Sequence, residues 1–414
     1  MFRFLFAALA VPAIFAAQLP RKLVVISIDG LDARLLSEPA LHVKAPNIRR
    51  LMRNGISAAG VVGVAPSDSW PSHAALATGT PPFENGITSN FAPHGPAEAF
   101  ASASTIRTET LWDAATAAGL KTATVYWPST LGAGSTFNFP EYWESRRGNA
   151  VDFEPIVSRA HPATIVALIE QMFPSFEKEL WDDSSSAAVA QWLLATEKPD
   201  LLMAHMAEVD ADQHDTGALS VYARDMLEND DDLIGQLIAK APPGTVFAIV
   251  GDHGFENQNY LVRPRVMLKR AGVPGDVELG DGLIGTSDRS VAAYFRRAIA
   301  EPKRSGIARE VPMAEVTAKA PALSKWVAAF DTLPNYVAIG EDRGAAIGPG
   351  NHLGIHGLWP TRPGYRSVFI LCGDGVTAGK LGEIDMLRIA PTLASVIGVR
   401  LRDAKQLAVP IQIP

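Results

Sequence analysis

Short apolar runs rich in strand-forming residues recur along the chain, and stretches with helical periodicity separate them. The runs are Leu23 to Ile28, Thr122 to Trp127, Leu201 to Met206, Val246 to Val250 and Ser367 to Cys372. Strands that alternate with helices are typical of a mostly parallel sheet. We therefore predict an α/β fold with a doubly wound, mostly parallel sheet flanked by helices.

The domain organisation follows from the length and from one irregular stretch. A chain of 414 residues is long enough for one large α/β domain that carries an insertion. Residues 255–351 lack the regular alternation and are rich in proline, glycine and charge. We predict a catalytic domain over residues 18–414 with a smaller inserted cap at about 255–351, and a helix from Thr110 to Ala118 that stops at Gly119.

Charge and cysteine content restrict the partners. The chain has 37 basic and 44 acidic residues, a net charge of -7, which argues against duplex nucleic acid. A small phosphate ester stays compatible because bound metal ions add local positive charge. Cys372 is the single cysteine, so any metal must be held by histidines and carboxylates.

The first residues predict export. Residues 1–17 combine an early cation, Arg3, with an apolar run that ends in small residues, which is typical of a signal peptide. The run is shorter than the roughly 20 apolar residues that span a bilayer, and Pro12 interrupts it. We expect no stable membrane span and a periplasmic or secreted protein.

Polar side chains follow several of the predicted strands, where ligands of such sheets bind. Asp29 follows the first run, and Asp252 and His253 follow the fourth. Each has a structural alternative. Asp29 could cap the next helix, and Asp252 to Gly254 could be a turn in which Gly254 supplies a positive φ angle.

Two further positions suit a metal site. Asp210 and His214 have the spacing that places both side chains on one face of a helix, although an exposed helix face would give the same spacing. His356, between glycines, could equally be a loop histidine. The ordered set favours a metal site over these alternatives: Asp29, Ser69, Asp210, His214, Asp252, His253 and His356.

From about Leu23 to the C-terminus the chain resembles the nucleotide pyrophosphatase/phosphodiesterase branch of the alkaline phosphatase superfamily. The segments that carry the resemblance are LVVISIDGLD, APNIRRLMRNGISA, SDSWPSHAALATGTPPFENGITSN, TLWDAATAAGLKTATVYWPST, EVDADQHDTG, GDHGF, GIHGLWP and MLRIAPTLASVIGV. The resemblance implies an alkaline phosphatase-like fold and hydrolysis of a phosphate diester or pyrophosphate, such as a nucleotide, by two divalent metal ions.

The resemblance also implies a role for each matching residue. One ion falls on Asp210, His214 and His356, and the other on Asp29, Ser69, Asp252 and His253. Ser69 stands at the position of the nucleophile that forms a covalent phosphoryl intermediate, and Asn90 at that of an asparagine that binds a phosphoryl oxygen. Trp70 stands where an aromatic residue stacks on the substrate, although it could instead be a core tryptophan. Histidines and carboxylates without a thiolate favour zinc over manganese.

The chain departs from the family pattern at three positions. Most members have threonine at Ser69, asparagine at Ser72 and glycine at Gln213; we expect the last change to alter the local loop and to leave His214 as a ligand. A sulfatase is disfavoured because His73 replaces the arginine of the sulfatase motif. A phosphomonoesterase and a non-catalytic metal-binding protein remain the alternatives, and the sequence leaves the oligomeric state open.

Overall fold

The computed structural model describes residues 21–90, 100–142, 144–145, 151–152, 156, 158–173 and 182–411. The strands are β1 (Leu23–Ile28), β2 (Ile56–Val62), β3 (Thr122–Val125), β4 (Phe137–Phe139), β5 (Glu144–Ser145), β6 (Val151–Asp152), β7 (Leu201–Met206), β8 (Val246–Gly251), β9 (Glu256–Asn257), β10 (Tyr260–Val262), β11 (Glu278–Gly280), β12 (Leu283–Thr286), β13 (Ile307–Val311), β14 (Ala328–Thr332), β15 (Tyr336–Ala338), β16 (Ile347–Pro349), β17 (Gly354–Ile355), β18 (Phe369–Cys372) and β19 (Gly379–Asp385). The α-helices are Ala33–Ser37, Pro46–Asn54, Ser69–Thr78, Pro82–Asn85, Leu111–Ala117, Ile165–Met172, Asp183–Trp192, Glu208–Thr216, Val221–Lys240, Pro264–Ala271, Arg289–Ala298, Pro302–Ser305, Met313–Lys319 and Ile389–Val396.

An eight-stranded sheet forms the centre of the fold, in the order β19-β2-β18-β8-β1-β7-β3-β4. All neighbouring pairs are parallel except those of β18, which runs antiparallel to both β2 and β8. This confirms the predicted α/β fold with a mostly parallel sheet. The sequence did not predict β2, β4 and β19, and it did not show that β18 runs in the opposite direction.

The central strands are buried on both faces, which is why they appear in the sequence as continuous apolar runs. Along β1, Val24, Ile26 and Ile28 pack into one hydrophobic cluster, and Leu23 and Val25 pack into a second on the opposite face. Helices cover both faces of the sheet. The strands β1 and β7 have the predicted bounds.

Individual residues determine where one helix and one strand end. Thr110 caps the helix Leu111–Ala117 by accepting a hydrogen bond from the Asp113 N–H. The predicted helix, Thr110 to Ala118, is one residue longer at each end, and the predicted stop at Gly119 has a φ of 80°. The strand β3 ends at Val125, before the predicted Trp127, because Tyr126 has a φ of 53°. A residue in that left-handed region cannot continue an extended strand.

The segment predicted as an insertion has regular structure of its own. Between the paired strands β9 and β17 lie a three-stranded sheet of β15, β10 and β16 and a four-stranded sheet of β11, β12, β14 and β13. A separate hydrophobic cluster that includes Val262, Ile284, Phe295 and Phe330 holds this part together. Its role as a cap stays a prediction.

The predicted signal peptide, residues 1–17, lies outside the described residues. Within the part of the chain that the structure describes, no helix combines the length and the apolar character needed to cross a membrane.

A buried arginine joins the segment between β9 and β17 to the core. The Arg362 Nε lies 2.8 Å from Glu256 Oε1 and its Nη1 lies 3.2 Å from Asp331 Oδ1, with all three side chains at most 4% exposed. Arg362→Met would leave two buried carboxylates without this cation. We expect the free energy of unfolding in urea to fall by about 3 to 5 kcal/mol.

The exposed pair of Arg296 and Glu310 provides the control, since its side chains are 50% and 33% exposed. Arg296→Met should cost less than about 1 kcal/mol. Equal losses in the two variants would contradict the role given to Arg362.

Candidate active site

The carboxyl ends of the central strands bring the predicted site residues together from distant parts of the chain. Asp29 directly follows β1, and Asp252 and His253 directly follow β8. Asp210 and His214 lie on the helix Glu208–Thr216, which follows β7. Two more residues complete the site: Ser69 is the first residue of the helix Ser69–Thr78, and His356 follows β17.

The first cluster surrounds the imidazole of His253. Its Nε2 lies 3.3 Å from Asp29 Oδ1, 3.1 Å from Asp252 Oδ2 and 3.4 Å from the Ser69 hydroxyl oxygen. The same hydroxyl lies 3.5 Å from Asp29 Oδ1. Asp29, Asp252 and His253 are spaced so that one cation could contact all three side chains, and the Ser69 oxygen borders that position.

The second cluster consists of Asp210, His214 and His356, whose ligand atoms are also spaced for a single cation. His214 Nε2 lies 3.4 Å from Asp210 Oδ2 within the helix, so the predicted placement on one helix face is confirmed. His356 Nε2 lies 3.8 Å from Asp210 Oδ1. The same oxygen is 3.8 Å from His253 Nε2, so the two clusters are neighbours.

The structural roles considered for Asp29, as a helix cap, and for Gly254, as a turn residue with a positive φ angle, are not observed. Asp32, and not Asp29, caps the helix Ala33–Ser37 by accepting a hydrogen bond from the Arg34 N–H. Gly254 does not have a positive φ angle. Instead, a Cβ atom at Gly254 would lie 3.0 Å from the Arg366 backbone nitrogen and from the Asp32 carboxylate, so little space is left for a side chain at this position.

The hydrogen bonding of these side chains fits cation ligands. Asp252 Oδ1 accepts the Gly30 N–H at 2.9 Å, whereas its Oδ2 and the Asp210 Oδ1 are buried without a hydrogen-bond partner among the residues that the structure describes. His214 donates from Nδ1 to the Gly354 carbonyl at 3.1 Å, which leaves the Nε2 lone pair for a ligand. A buried acceptor without a donor is costly, and a divalent cation would satisfy each of these atoms.

The pKa values of Asp29, Asp210 and Asp252 also fit a cation site. Burial and the charge of Asp29 raise the pKa values of Asp252 and of Asp210 well above their usual range. Burial alone would also raise the pKa of Asp29, but hydrogen bonds from His205 and His253 outweigh it and hold that pKa well below its usual value. Three crowded carboxyl groups therefore need positive charge to be ionised together.

Two buried histidines beneath the first cluster did not emerge from the sequence as functional. His205 lies 3.1 Å from Asp29 Oδ2 through its Nε2 and 3.0 Å from the Tyr126 carbonyl through its Nδ1. Both neighbours are acceptors, so both nitrogens donate; burial lowers the pKa of His205, but Asp29 raises it to about 9. Burial, together with the charge of His205, lowers the pKa of His73 to about 3. The position of His205 at the end of β7 was the available signal.

Asn90 and Trp70 lie next to Ser69. The Asn90 Oδ1 accepts the Trp70 backbone N–H at 2.9 Å, which leaves the amide nitrogen of Asn90 available as a donor. Trp70 is 8% exposed, and its side chain packs in a small apolar cluster with Tyr142 and donates from Nε1 to Glu141 at 3.2 Å. Its predicted stacking on a substrate stays a prediction.

Two further acidic residues near the site were not predicted. Asp68 Oδ1 lies 3.5 Å from His356 Nδ1. Asp281, in the turn between β11 and β12, is half-buried, and burial together with the charge of Asp68 raises its pKa to about 6. Neither residue follows a predicted strand, so no sequence pattern marked them.

A buried carboxyl pair supports the helix that carries Asp210 and His214. Asp183 accepts the N–H groups of Ala207 at 2.6 Å and of Glu208 at 3.0 Å. Asp230 is fully buried beside it, and neither of its oxygens receives a hydrogen bond from another donor. Burial, together with the Glu208 carboxylate, raises the pKa of Asp183 to about 7, and burial with Asp183 raises that of Asp230 well above its usual range.

This pair predicts a pH dependence of stability. Because the folded-state pKa of Asp183 is raised from 3.8 to about 7, its stabilising protonation is complete below about pH 4 and is lost as the pH rises through about 7. Asp230→Asn supplies a permanent amide donor. We expect the urea midpoint of the variant to fall less than that of the wild type over this range, at saturating zinc.

Asp225→Asn on the same helix is the control, because Asp225 is exposed. The urea midpoint of Asp225→Asn should change with pH as that of the wild type does. Parallel curves for Asp230→Asn and the wild type would contradict the protonation of this carboxyl pair in the folded protein.

The fold is that of the alkaline phosphatase superfamily. Within it, the model of the type I phosphodiesterase/nucleotide pyrophosphatase family matches residues 23–333. The chain therefore belongs to this family, whose members hydrolyse phosphodiester and pyrophosphate bonds. The match ends before His356, which the sequence analysis also predicted and which lies beside Asp210 in the structure.

Solved structures show the same fold at low sequence identity. Murine ectonucleotide pyrophosphatase/phosphodiesterase 5 is 18% identical, with a TM-score of 0.58 over 92% of this chain and 95% of that chain. The human protein of the same name is 16% identical, with a TM-score of 0.58 over 94% and 96%. An inactive variant of the murine protein in complex with AMP matches equally well. No curated protein sequence matches the chain significantly.

Proposed function

We propose that the protein is an exported hydrolase that cleaves a phosphate diester or pyrophosphate with two divalent ions, through a covalent phosphoryl intermediate on Ser69. The observation that carries the proposal is the position of the Ser69 hydroxyl, within 3.5 Å of both Asp29 and His253. Ser69 is the first residue of a ten-residue helix, and the N-terminus of a helix stabilises negative charge.

The side chains divide into two sets of ion ligands. Asp29, Ser69, Asp252 and His253 would hold one ion, and Asp210, His214 and His356 would hold the other. Their nitrogen and oxygen atoms suit zinc. When bound, paired ions of this kind lower the pKa of a coordinated hydroxyl and stabilise negative charge on the leaving oxygen.

In this proposal the Ser69 oxygen attacks the phosphorus atom, and its proton passes through the solvent to the leaving oxygen. The bond from phosphorus to the leaving alcohol or phosphate oxygen breaks, and the phosphoryl group remains on Ser69. Water then cleaves the new phosphorus–oxygen bond and regenerates the serine. The Asn90 amide, held by its oxygen on the Trp70 N–H, is oriented to donate to a phosphoryl oxygen as charge develops there.

The charges around the site favour a diester over a monoester. Among the described residues, no lysine or arginine forms a hydrogen bond or ion pair with the proposed ligands or with Asn90, and Asp68 and Asp281 add negative charge nearby. A monoester dianion carries more charge than a diester and would need additional cations at this position. A phosphodiester or pyrophosphate of a nucleotide is the substrate class we propose, which also fits the AMP complex of the murine neighbour.

The proposal is tested by comparing three chromogenic substrates. We expect bis-p-nitrophenyl phosphate to be hydrolysed with a higher kcat/KM than p-nitrophenyl phosphate, and p-nitrophenyl sulfate least. Turnover should be lost with a chelator and return with zinc. A preference for the monoester would support a phosphomonoesterase instead, and the absence of zinc-dependent turnover on all three would support a non-catalytic metal-binding protein.

A further inference from the structure

Gln213 connects the two ligand sets through a buried side chain. It lies on the helix Glu208–Thr216 directly before His214 and has no solvent exposure. Its Nε2 donates to the Gly30 carbonyl at 2.9 Å, and its Oε1 accepts the Leu219 N–H at 3.2 Å. Both ends of the amide are therefore fixed, which orients the side chain uniquely.

Gly30 also contacts the other ligand set. Gly30 directly follows Asp29, and its N–H donates to Asp252 Oδ1 at 2.9 Å. This bond directs Asp252 Oδ2 toward His253 Nε2, at 3.1 Å. Gly30 thus carries one hydrogen bond to the residue beside His214 and a second to Asp252, and it directly follows Asp29 in the chain.

The contact also sets how closely the helix approaches the turn at Gly30. A side chain at Gly30 would lie 3.0 Å from the Gln213 amide nitrogen and 2.8 Å from the ring of Phe255. Gly30 has a φ of 65°, a conformation that glycine adopts at little cost. The helix and the turn therefore meet at a packed contact in which Gln213 is the polar link.

We propose that Gln213 is a positioning residue that fixes the spacing of the two ion sites and thereby couples their occupancy. This inference rests on the proposed function, because it takes the two clusters as ion sites. Catalysis by paired ions depends on their separation, which is about 3.5 to 4 Å in such enzymes. Gln213 links Gly30, which directly follows Asp29, to the helix that carries Asp210 and His214.

The test is Gln213→Met, which keeps the length of the side chain and removes both hydrogen bonds. Gln191→Met is the matched control, because Gln191 is a buried glutamine whose amide bonds Gln236, at 3.1 Å, away from the site. Zinc affinity is measured by competition with a chromogenic chelator. The spacing of the ions is measured by electron paramagnetic resonance of the protein loaded with Mn²⁺, in which neighbouring ions show exchange coupling.

We expect Gln213→Met to lower the affinity for the second zinc ion by about 10- to 100-fold and to weaken the Mn²⁺ coupling, while Gln191→Met leaves both unchanged. If Gln213→Met does not fold, Gln213→Asn, which is too short to reach Gly30, should give the same result. Wild-type affinity and coupling in the variant that folds would overturn the inference and leave the proposed function intact. A wild-type protein that takes up fewer than two ions would overturn both.

Discussion

Ser69→Ala is expected to lower kcat/KM for bis-p-nitrophenyl phosphate by roughly 1,000-fold or more. The substitution removes the oxygen that we propose attacks phosphorus, and the nearby His253 and Asp29 do not replace it. Asp29, Asp252 and His253 remain, so the zinc-induced increase in melting temperature should persist. Separate measurements of turnover and of zinc-induced stabilisation distinguish loss of the nucleophile from loss of the ions.

Ser72→Ala is the matched control on the same helix. Ser72 is fully buried, and within the described part of the chain its hydroxyl has no hydrogen-bond partner, so its removal should leave turnover nearly unchanged. Mass spectrometry of wild-type protein quenched during turnover should show a phosphoryl adduct on the peptide that contains Ser69. Activity within tenfold of the wild type in Ser69→Ala would contradict a covalent intermediate at this residue.

Asp252→Asn is expected to separate the effect of a buried carboxyl group on the stability of the metal-free protein from its effect on zinc binding and activity. Without metal, the Asp252 carboxyl group lies fully buried beside Asp29 and Asp210, and both burial and their charges raise its pKa. Asparagine can still accept the Gly30 N–H but carries no charge. We expect the metal-free variant to be at least as stable as the metal-free wild type, and to lose hydrolytic activity.

Zinc should stabilise the Asp252→Asn variant less than it stabilises the wild type. A ligand present at about 100 times its Kd adds about 2.7 kcal/mol to the free energy of unfolding for each site. The variant should lose most of the contribution from the ion held by Asp29 and His253. Thermal unfolding with chelator and with zinc measures both effects.

Asp215→Asn controls for charge alone, because Asp215 is exposed beside His214 and is not a proposed ligand. It should keep the full response to zinc. An equal response in Asp252→Asn would contradict ligation by this residue.

Much of the fold followed from local patterns. The apolar runs located β1 and β7 with their observed bounds, because strands buried on both faces must be apolar throughout. The helix cap at Thr110 and the stop at Gly119 were likewise local signals. By contrast, the sequence did not reveal β2 or β19, and the pairing of β18 depends on neighbours that are distant along the chain.

The candidate site divides in the same way. Residues at strand ends could be identified because parallel strands place their carboxyl ends at one edge of the sheet. Asp210 and His214 could be identified because residues four apart lie on one face of a helix. Asp68, Asp281 and Asp183 could not be identified, because each acquires its environment from other segments. The assignment of the individual ligands remains a proposal.

The sequence by itself therefore determined the class of fold, the family and the side chains available for chemistry. The tertiary structure alone decided how those side chains are oriented. His205 reaches Asp29 across 176 residues of sequence, and Gln213 reaches Gly30 across 183. Apolar periodicity is set by the element to which a residue belongs, whereas a hydrogen bond between elements depends on how they pack, and no local pattern encodes that distance.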